Sequence, residues 1–444
     1  MPDDLKELIG KAKEVLDGNW LGGFTKASPR LYPHQWNWDS GFVALGYARY
    51  DQMRAQQELT TLFQAQWANG MLPQIVFNPE ALGSYFPEPD FWQAHRSPHY
   101  PGSLMTSGIT MPPIHATAAR HVLDHAGDGE KALAWLRKLY PHLLASHQYL
   151  YDERDPFAEG LVYIRHPWES GLDNSPAWDR PLNQIAIDPA RMPPYERTDL
   201  KKDIPRRQRP SDEEYDRYVY LVDLFRRLDY DEAAIFQESP FLVQDPLFNS
   251  ILSRANEDLA ELGERLGEDT AKVREWHEQT NRALREKLWH EEHGAFDVYD
   301  LRANVRLDIL TASGFMPLFC GAPNQRQAAR MYRFLESRSF CPMHDGNCFS
   351  IPNYNLDGEH FDNENYWRGP VWINTNWLLM HGLGRYGFEA KTRSVANDIL
   401  ELVRRWGFHE YFDPHSGTGY GTDRFSWTAA LFIDVALDAG TMAS

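Results

Sequence analysis

The segment WESGLDNSPAWDR, residues 168–180, contains a mixture of tryptophans, acids, an asparagine and a glycine that no regular element explains. Ser175 followed by Pro176 is typical of a helix start, with an N-cap and a proline at the first helical position. Asp173 is therefore predicted to lie in a loop just ahead of a helix, beside indole rings. Because such surroundings remove water from a carboxyl group, they raise its pKa, and an acid that keeps its proton near neutral pH can protonate a leaving oxygen. The alternative is that Asp173 only helps to cap the helix.

A second acidic segment, WGFHEYFDPHSGTGYGTDRFSWTAAL, occupies residues 406–431. Glu410 in it could belong to an ordinary helix exit and turn. Paired with Asp173, it completes a two-carboxylate site, in which one group protonates the glycosidic oxygen and the other acts as base or nucleophile. If the mechanism inverts the anomeric centre, the two carboxyl groups should lie roughly 6.5–9.5 Å apart to leave room for water.

Two further segments combine tryptophan with acids and amides. WNWDSG, residues 36–41, is predicted to form a loop tip, with Asp39 and Ser40 as N-caps of the apolar helix that follows. NENYWRGPVWINTNW, residues 363–377, contains a Gly-Pro break that suits a helix start. Sugar rings stack their apolar C–H faces on indole and bond short polar side chains through their hydroxyls, so these segments suit a carbohydrate site. The side chains that they would offer are Trp36, Trp38, Asp39, Tyr366, Trp367 and Trp372. The alternative for each tryptophan is an ordinary core position.

The composition excludes several classes of partner. The chain has 444 residues and a formal charge of −18, which argues against nucleic acid and against an anionic membrane surface. No run of about eighteen apolar residues predicts a membrane span, and the polar amphipathic start is unlike a signal peptide. Three cysteines are too few and too scattered for a disulfide framework or a zinc cage. We therefore expect a reduced, cytoplasmic protein, and a homo-oligomer is compatible with the sequence.

Metal and nucleotide motifs are absent from the sequence. The histidines are scattered, with no HExxH motif and no paired spacing, so no metal ligand is predicted. A serine-nucleophile elbow and a glycine-rich phosphate loop are also missing. We expect a site without metal or cofactor.

Apolar and charged helical patterns alternate along the chain, and the apolar ones follow aromatic-rich loops. About a dozen helices are predicted, including residues 176–187, 311–319 and 365–385. The main strand candidate is LVYIRHPW, residues 161–168. An inner ring of helices wrapped by an outer ring would bury the apolar faces and gather the loops at one end. The prediction is one all-α domain over residues 1–444, and the alternative is an irregular all-α protein.

Two long irregular passages are predicted to cap that end, at about residues 69–110 and 188–212, since loops of this length are usually functional or mobile. The second runs into KKDIPRRQRPSDEEYDR, residues 201–217. Such a charge run is usually a solvated loop. The functional alternative is a lid that carries a cation to an anionic group of the substrate.

Taken together, the four segments resemble glycoside hydrolase family 63, over nearly the whole chain and in the same order. Within the family, the chain is similar to the compact bacterial members that hydrolyse mannosylglycerate and glucosylglycerate. The resemblance implies an (α/α)6 barrel and an inverting mechanism without metal, with Asp173 as general acid and Glu410 as general base. It implies a sugar subsite made of Tyr32, Trp36, Trp38, Asp39, Tyr366, Trp367 and Trp372. For the glycerate carboxylate it suggests Arg209, Tyr215 and Tyr85.

The chain departs from the family pattern in SGITMPP, where Met111 stands in place of an expected glutamine. That departure leaves one sugar-hydroxyl contact and the choice between mannose and glucose open. The expected reaction is hydrolysis of a 2-O-α-mannosyl or 2-O-α-glucosyl glycerate, a small sugar with a carboxylate aglycone. The alternatives are an α-glucosidase on the same barrel for a neutral disaccharide or oligosaccharide, a sugar epimerase, and a non-catalytic carbohydrate-binding protein.

Overall fold

The computed structural model describes residues 1–188, 190, 192–201, 204–343, 346, 348–349 and 351–442. Its α-helices are α1 (Asp3–Asn19), α2 (Asn37–Ala48), α3 (Gln52–Phe63), α4 (Pro89–Trp92), α5 (His115–Asp124), α6 (Gly129–Arg154), α7 (Asp179–Asn183), α8 (Asp212–Arg227), α9 (Glu232–Glu238), α10 (Pro246–Leu266), α11 (Ala271–Ala283), α12 (Pro317–Cys320), α13 (Gln325–Leu335), α14 (Ile373–Arg385), α15 (Glu389–Trp406) and α16 (Ser426–Met442). Its strands, of two residues each, are β1 (Gln35–Trp36), β2 (Ile75–Val76), β3 (Val243–Gln244), β4 (Trp289–His290), β5 (Ala295–Phe296), β6 (Tyr299–Asp300), β7 (Val305–Arg306), β8 (Tyr411–Phe412) and β9 (Gly419–Tyr420).

Six helices form a closed inner ring. In order around the ring, α2, α5, α10, α12, α14 and α16 each contact the next, and α16 returns to α2. Every residue of α2 is buried, as expected of a helix that is covered on all sides. The outer helices α1, α3, α6, α11, α13 and α15 alternate with them along the chain. In α1 the buried residues fall on one stripe, with Leu5, Ile9, Ala12 and Leu16 facing inward. The double ring predicted from the alternation of patterns is confirmed.

The two ends of the barrel carry connections of very different length. Successive helices run in opposite directions, so all connections from an inner to an outer helix meet at one end, and the reverse connections meet at the other. The inner-to-outer connections are three or four residues long, at 49–51, 125–128, 267–270, 321–324 and 386–388. The outer-to-inner connections are long, at 20–36, 64–114, 155–245, 284–316, 336–372 and 407–425. All four segments singled out in the sequence lie at this second end.

The helix that follows WNWDSG begins earlier than its sequence predicts. Trp36 pairs with Ile75 between the antiparallel strands β1 and β2, and the backbone N–H of Asn37 then donates to the carbonyl of Gln74 at 2.9 Å. The chain therefore enters α2 at Asn37. Trp38 and Asp39 lie in the first helical turn, so their prediction as loop-tip residues was wrong.

Two other predicted helices are shorter than expected. Residues 176–187 form only a 3₁₀ turn, Pro176–Trp178, and the short α7, while α14 begins at Ile373 and not near residue 365. In the second place Gly369-Pro370 lies within the predicted range, and the proline disfavours helical backbone at the residue before it, so the helix begins only beyond this pair. The strand predicted at 161–168 contributes one isolated bridge, between Ile164 and Val243.

The cysteines differ from the prediction as well. Cys341 and Cys348 form a disulfide, with Cα atoms 5.8 Å apart, because the loop between α13 and α14 folds back on itself. Cys320 is free and buried in the inner ring. None of the described helices combines the length and the apolar character that crossing a membrane takes.

Candidate active site

A cavity opens at the end of the barrel that carries the long connections. It is lined by Ala27, Tyr32, Trp36, Trp38, Asp39, Gln74, Tyr85, Met111, Trp168, Gly171, Asp173, Arg209, Tyr366, Trp367, Glu410, Phe425 and Trp427. Asp173 and Glu410, which are 237 positions apart in the sequence, thus face one cavity, and most of the predicted sugar-binding residues surround them.

Asp173 lies on the loop before the 3₁₀ turn, and a neighbour performs the capping. The side chain of Ser175 accepts the backbone N–H of Ala177 at 3.4 Å, so the turn is capped without Asp173. Burial raises the pKa of Asp173 to about 7; the positive charge of Arg209 opposes this rise, and the negative charge of Glu410 adds to it. A carboxyl group with this pKa is half-protonated near neutral pH, which is the state a general acid needs.

Glu410 is buried and held at both oxygens. Its Oε1 accepts the hydroxyl of Tyr32 at 2.9 Å, and its Oε2 accepts the backbone N–H of Thr422 at 3.2 Å. Burial raises the pKa of Glu410, while Arg209 and the Tyr32 hydroxyl lower it. Gly421 has a φ of +68°, and a Cβ there would lie 2.4 Å from Glu410 Oε2. The glycine-rich turn is therefore required for the placement of this carboxylate.

The positive charge of Arg209 acts on both carboxyl groups. Its Nη1 donates to the Tyr32 hydroxyl at 2.9 Å and its Nε to Asp199 at 3.3 Å, while its guanidinium lies 4.7 Å from the centre of the Tyr366 ring. It lowers the pKa of both carboxyl groups in the cavity. The charge run that contains it thus reaches into the site.

The aromatic wall is built by close packing of indole rings. Trp38 lies against Gly171, whose φ is +73° and where a Cβ would come within 2.4 Å of the indole. Three polar atoms on this wall are buried and have no hydrogen-bond partner among the residues that the structure describes: Gln74 Oε1, Trp367 Nε1 and Trp427 Nε1. A buried polar group without a partner costs free energy, so these three residues keep a hydrogen-bonding capacity that the described part of the chain does not use.

Two of the predicted binding residues do not line the cavity. Trp372 stacks on Trp367 with ring centroids 3.6 Å apart, and its Nε1 donates to the carbonyl of Tyr366 at 2.9 Å. The hydroxyl of Tyr215 donates to the carbonyl of Phe86 at 3.1 Å, and Arg197 covers its ring at 4.3 Å. Neither side chain lines the cavity, and each is held in place by these partners.

Both predicted capping passages reach the cavity. The first contributes Gln74 and Tyr85, and the second contributes Arg209; residues 189, 191, 202 and 203 of the second lie outside the described part of the chain. Sequence reasoning missed Gln74, which no motif marks. Trp168 and Trp427 lie within quoted segments but were not singled out, although their position beside the two acids was a usable signal.

Comparison with known proteins agrees with this arrangement of the site. Residues 32–428 match the family described as the mannosylglycerate hydrolase MGH1-like glycoside hydrolase domain. The chain belongs to this family of glycoside hydrolases. Both carboxyl groups and the aromatic wall lie within the matched range, and the resemblance to glycoside hydrolase family 63, an inverting family, is confirmed.

Three relatives illustrate the similarity. A mannosylglycerate hydrolase of Rubrobacter radiotolerans is 48% identical over 434 residues, covering 98% of each chain. A glucosylglycerate hydrolase of Mycolicibacterium hassiacum is 37% identical, over 96% of this chain and 97% of that one. The crystal structure of a family 63 mannosylglycerate hydrolase of Thermus thermophilus with Tris and D-glycerate superposes with a TM-score of 0.89 at 44% identity, over 96% of this chain and 99% of that one. The (α/α)6 barrel is thereby confirmed.

Proposed function

We propose that the chain hydrolyses 2-O-α-mannosyl-glycerate or 2-O-α-glucosyl-glycerate to the hexose and D-glycerate, with inversion. The observation that carries this proposal is the meeting of Asp173, Glu410 and Arg209 around one aromatic cavity. Relatives named for both substrates cover nearly the whole chain. The proposed unit is a single domain over residues 1–444, capped by the two long passages.

Asp173 acts as the general acid in this proposal. Its proton goes to the glycosidic oxygen as the bond to the anomeric carbon breaks, and that oxygen leaves as a neutral hydroxyl group of glycerate. Glu410 takes a proton from a water molecule on the opposite face of the sugar, and that water attacks the anomeric carbon. Because each carboxyl group disfavours ionisation of the other, a state with one proton shared between the pair is favoured, and the assignment gives that proton to Asp173.

Arg209 supplies the charge that a carboxylate aglycone requires. Its partner Asp199 is shared with Arg197, whose Nη2 lies 2.7 Å from Asp199 Oδ2. The Nη1 of Arg209 meets the neutral hydroxyl of Tyr32 instead of a second acid. A substrate carboxylate beside Arg209 and Tyr85 would therefore find a cation that one shared aspartate only partly neutralises.

Gln74 Oε1, Trp367 Nε1 and Trp427 Nε1 are assigned to the hexose hydroxyls, since the three residues line the cavity and these atoms have no partner among the described residues. Met111, at the position where a glutamine was expected, offers a thioether and no hydrogen-bond donor. Assaying both glycerate glycosides side by side therefore determines which hexose is preferred.

A panel of mannosylglycerate, glucosylglycerate and trehalose tests the substrate class. The proposal expects turnover of at least one glycerate glycoside with a kcat/KM at least about a hundredfold above that of trehalose, since the uncompensated charge of Arg209 disfavours a neutral aglycone. Equal or better turnover of trehalose would favour the neutral glucosidase. Proton NMR of the first product separates the other classes: inversion gives the β-anomer, an epimerase gives a new sugar without cleavage, and a binding protein gives no turnover.

We propose a cytoplasmic location, which the sequence favours. The disulfide between Cys341 and Cys348 is a feature more typical of oxidising compartments. Alkylation of free thiols in freshly lysed cells tests the redox state directly, and fractionation tests the location.

A further inference from the structure

A cluster of two histidines and two aspartates lies in the connection 284–316, outside the catalytic cavity. His290 is on strand β4, Asp297 directly follows strand β5, His293 lies in the turn between these strands, and Asp308 follows β7. One ligand atom from each of the four lies within 4.8 Å of the others. Folding thus brings Asp297 and Asp308 to two histidines that are three positions apart in the sequence, and none of the four residues lines the catalytic cavity.

His293 bridges the two carboxylates with both ring nitrogens. Its Nδ1 lies 3.0 Å from Asp297 Oδ1, and its Nε2 lies 2.8 Å from Asp308 Oδ1. A histidine that donates Nε2–H to a carboxylate keeps the lone pair of Nδ1 for a metal, and such a carboxylate is a common support of a metal-bound imidazole. Asp308 Oδ1 therefore already occupies the orienting position.

The other oxygen of Asp297 is the second observation. Asp297 is fully buried, and its Oδ2 has no hydrogen-bond partner among the described residues. His290 Nε2 lies 4.0 Å from this oxygen, which is too far for a hydrogen bond. A buried carboxylate oxygen without a partner is costly, whereas a cation between this oxygen and the imidazoles of His290 and His293 would satisfy it.

We propose that His290 Nε2, His293 Nδ1 and Asp297 Oδ2 ligate a divalent ion of the zinc class, with Asp308 Oδ1 holding His293 through Nε2–H. Two imidazoles with a carboxylate suit Zn²⁺ or its neighbours better than Ca²⁺ or Mg²⁺, which prefer oxygen ligands alone. Tetrahedral bonds of about 2.0–2.2 Å place neighbouring ligand atoms about 3.3 Å apart. The Asp297 carboxylate lies 3.0 Å from His293 Nδ1 and 4.0 Å from His290 Nε2, and these two distances bracket that value. Asp308 is exposed and gives the ion a path from solvent.

His290 is the weakest of the three ligands. Its Nδ1 accepts the backbone N–H of His293 at 3.2 Å, so its proton sits on Nε2 when no ion is bound. Coordination through Nε2 must displace that proton and give up this contact. Loss of His290 should therefore reduce the affinity less than loss of His293 or Asp297.

The ion would link the hairpin of strands β4 and β5 to the inner ring. Strand β5 packs on the 3₁₀ turn Ala312–Phe315 that leads into α12, and a Cβ at Gly314 would lie 2.5 Å from the carbonyl of Phe296. Asp308 belongs to the segment between that hairpin and the turn. Coordination would hold both ends of this connection together and stabilise the barrel where its shortest inner helix lies.

Titration of untagged, chelator-treated protein with Zn²⁺ tests the site. We expect one equivalent bound by calorimetry and a rise in Tm that EDTA reverses, because ligand binding stabilises the folded state. Asp308→Asn, at an exposed position that folding does not depend on, should lower the Zn²⁺ affinity at least about tenfold and remove the Tm response. His293→Gln should abolish binding, and catalytic turnover should be unchanged in both variants.

His95→Gln is the matched control, since His95 is an exposed histidine far from the cluster in sequence. It should bind Zn²⁺ as the unmodified chain does. The proposal is overturned if the chain binds no Zn²⁺ at micromolar concentration. It is equally overturned if Asp308→Asn and His293→Gln retain the stoichiometry and affinity of the control, because the ion would then bind elsewhere.

Discussion

Two buried aspartates, one at each end of the barrel, have pKa values shifted in opposite directions. Asp173, at the end with the long connections, faces a cavity, and burial raises its pKa to about 7. Burial would also raise the pKa of Asp434 on α16, but the hydrogen bond with His121 and that from the Trp377 indole hold it well below its usual range. Arg49 also pairs with Asp434, at 2.9 Å. The same side chain stabilises the fold where its partners are fixed, and is available for chemistry where they are missing.

The comparison extends to the tryptophans. Trp377 Nε1 donates to Asp434 Oδ2 at 2.9 Å, whereas Trp427 Nε1, on the same inner ring, has no partner among the described residues. The indole donor of Trp377 is thus satisfied within the protein, whereas that of Trp427, a residue that lines the cavity, is not. Substitutions at the end with the long connections should therefore lower activity, whereas substitutions at the end with the short turns should lower stability.

The largest expected effect is at the catalytic pair. Asp173→Asn and Glu410→Gln should each lower kcat about 10³-fold or more, because each removes a proton-transfer group. Urea denaturation should find the folded state at least as stable as before, since burial disfavours both charges. Near-normal turnover by either variant would remove that residue from the mechanism.

Asp434→Asn should show the opposite behaviour. We expect a loss of about 3 kcal/mol in the free energy of unfolding at neutral pH, since the variant breaks a buried charge pair, with kcat of the folded fraction unchanged. A carboxylate with a depressed pKa stabilises the fold above its unfolded pKa of about 3.9 and loses that contribution as pH falls towards its folded pKa. The deficit should therefore shrink below about pH 4, as measured by urea denaturation against pH. A deficit independent of pH would contradict the charge-pair account.

Arg209→Met should act on both binding and pH dependence. KM for a glycerate glycoside should rise about ten- to a hundredfold, while KM for a neutral α-glycoside should change little. In the unmodified chain, kcat/KM should fall as pH rises through about 7, where Asp173 loses its proton. Because Arg209 lowers the pKa of Asp173, its removal should move this limb to higher pH. A shift to lower pH, or an equal loss for the neutral substrate, would contradict the assignment.

The smallest effect is expected from a single indole N–H. Trp427→Phe should lower kcat/KM about tenfold by removing one bond to a sugar hydroxyl, with little change in stability. Trp377→Phe is the matched control and should reduce stability by about 1 kcal/mol without lowering kcat/KM. Steady-state kinetics and urea denaturation on both variants measure the contrast.

The helices could be predicted from the sequence because their patterns are local. The buried stripe of α1 follows the helical period, and the apolar run of α2 marks an inner helix. The start of α2 could not be predicted, since pairing of Trp36 with Ile75, distant in sequence, sets it. The disulfide was missed for the same reason: only the folded loop brings Cys341 and Cys348 together.

The site was predictable where residues of unusual chemistry cluster in short segments. Asp173 and Glu410 stand among aromatics and amides that no regular helix requires, and the cavity brings them together. Trp367 and Trp372 look alike in the sequence, and only their stacking decides which one faces the cavity. Gln74 has no distinguishing neighbours, so its role depends entirely on where the strand pairing places it.

The account depends most on Asp173 as the donor of a proton to the leaving oxygen, and a glycosyl fluoride tests this directly. Fluoride leaves without protonation, so Asp173→Asn should hydrolyse the α-mannosyl or α-glucosyl fluoride within about tenfold of the unmodified rate, while losing about 10³-fold on the glycerate glycoside. Glu410→Gln, which lacks the base, should lose activity on both substrates. If Asp173→Asn is as inactive on the fluoride as on the natural linkage, Asp173 is not the general acid.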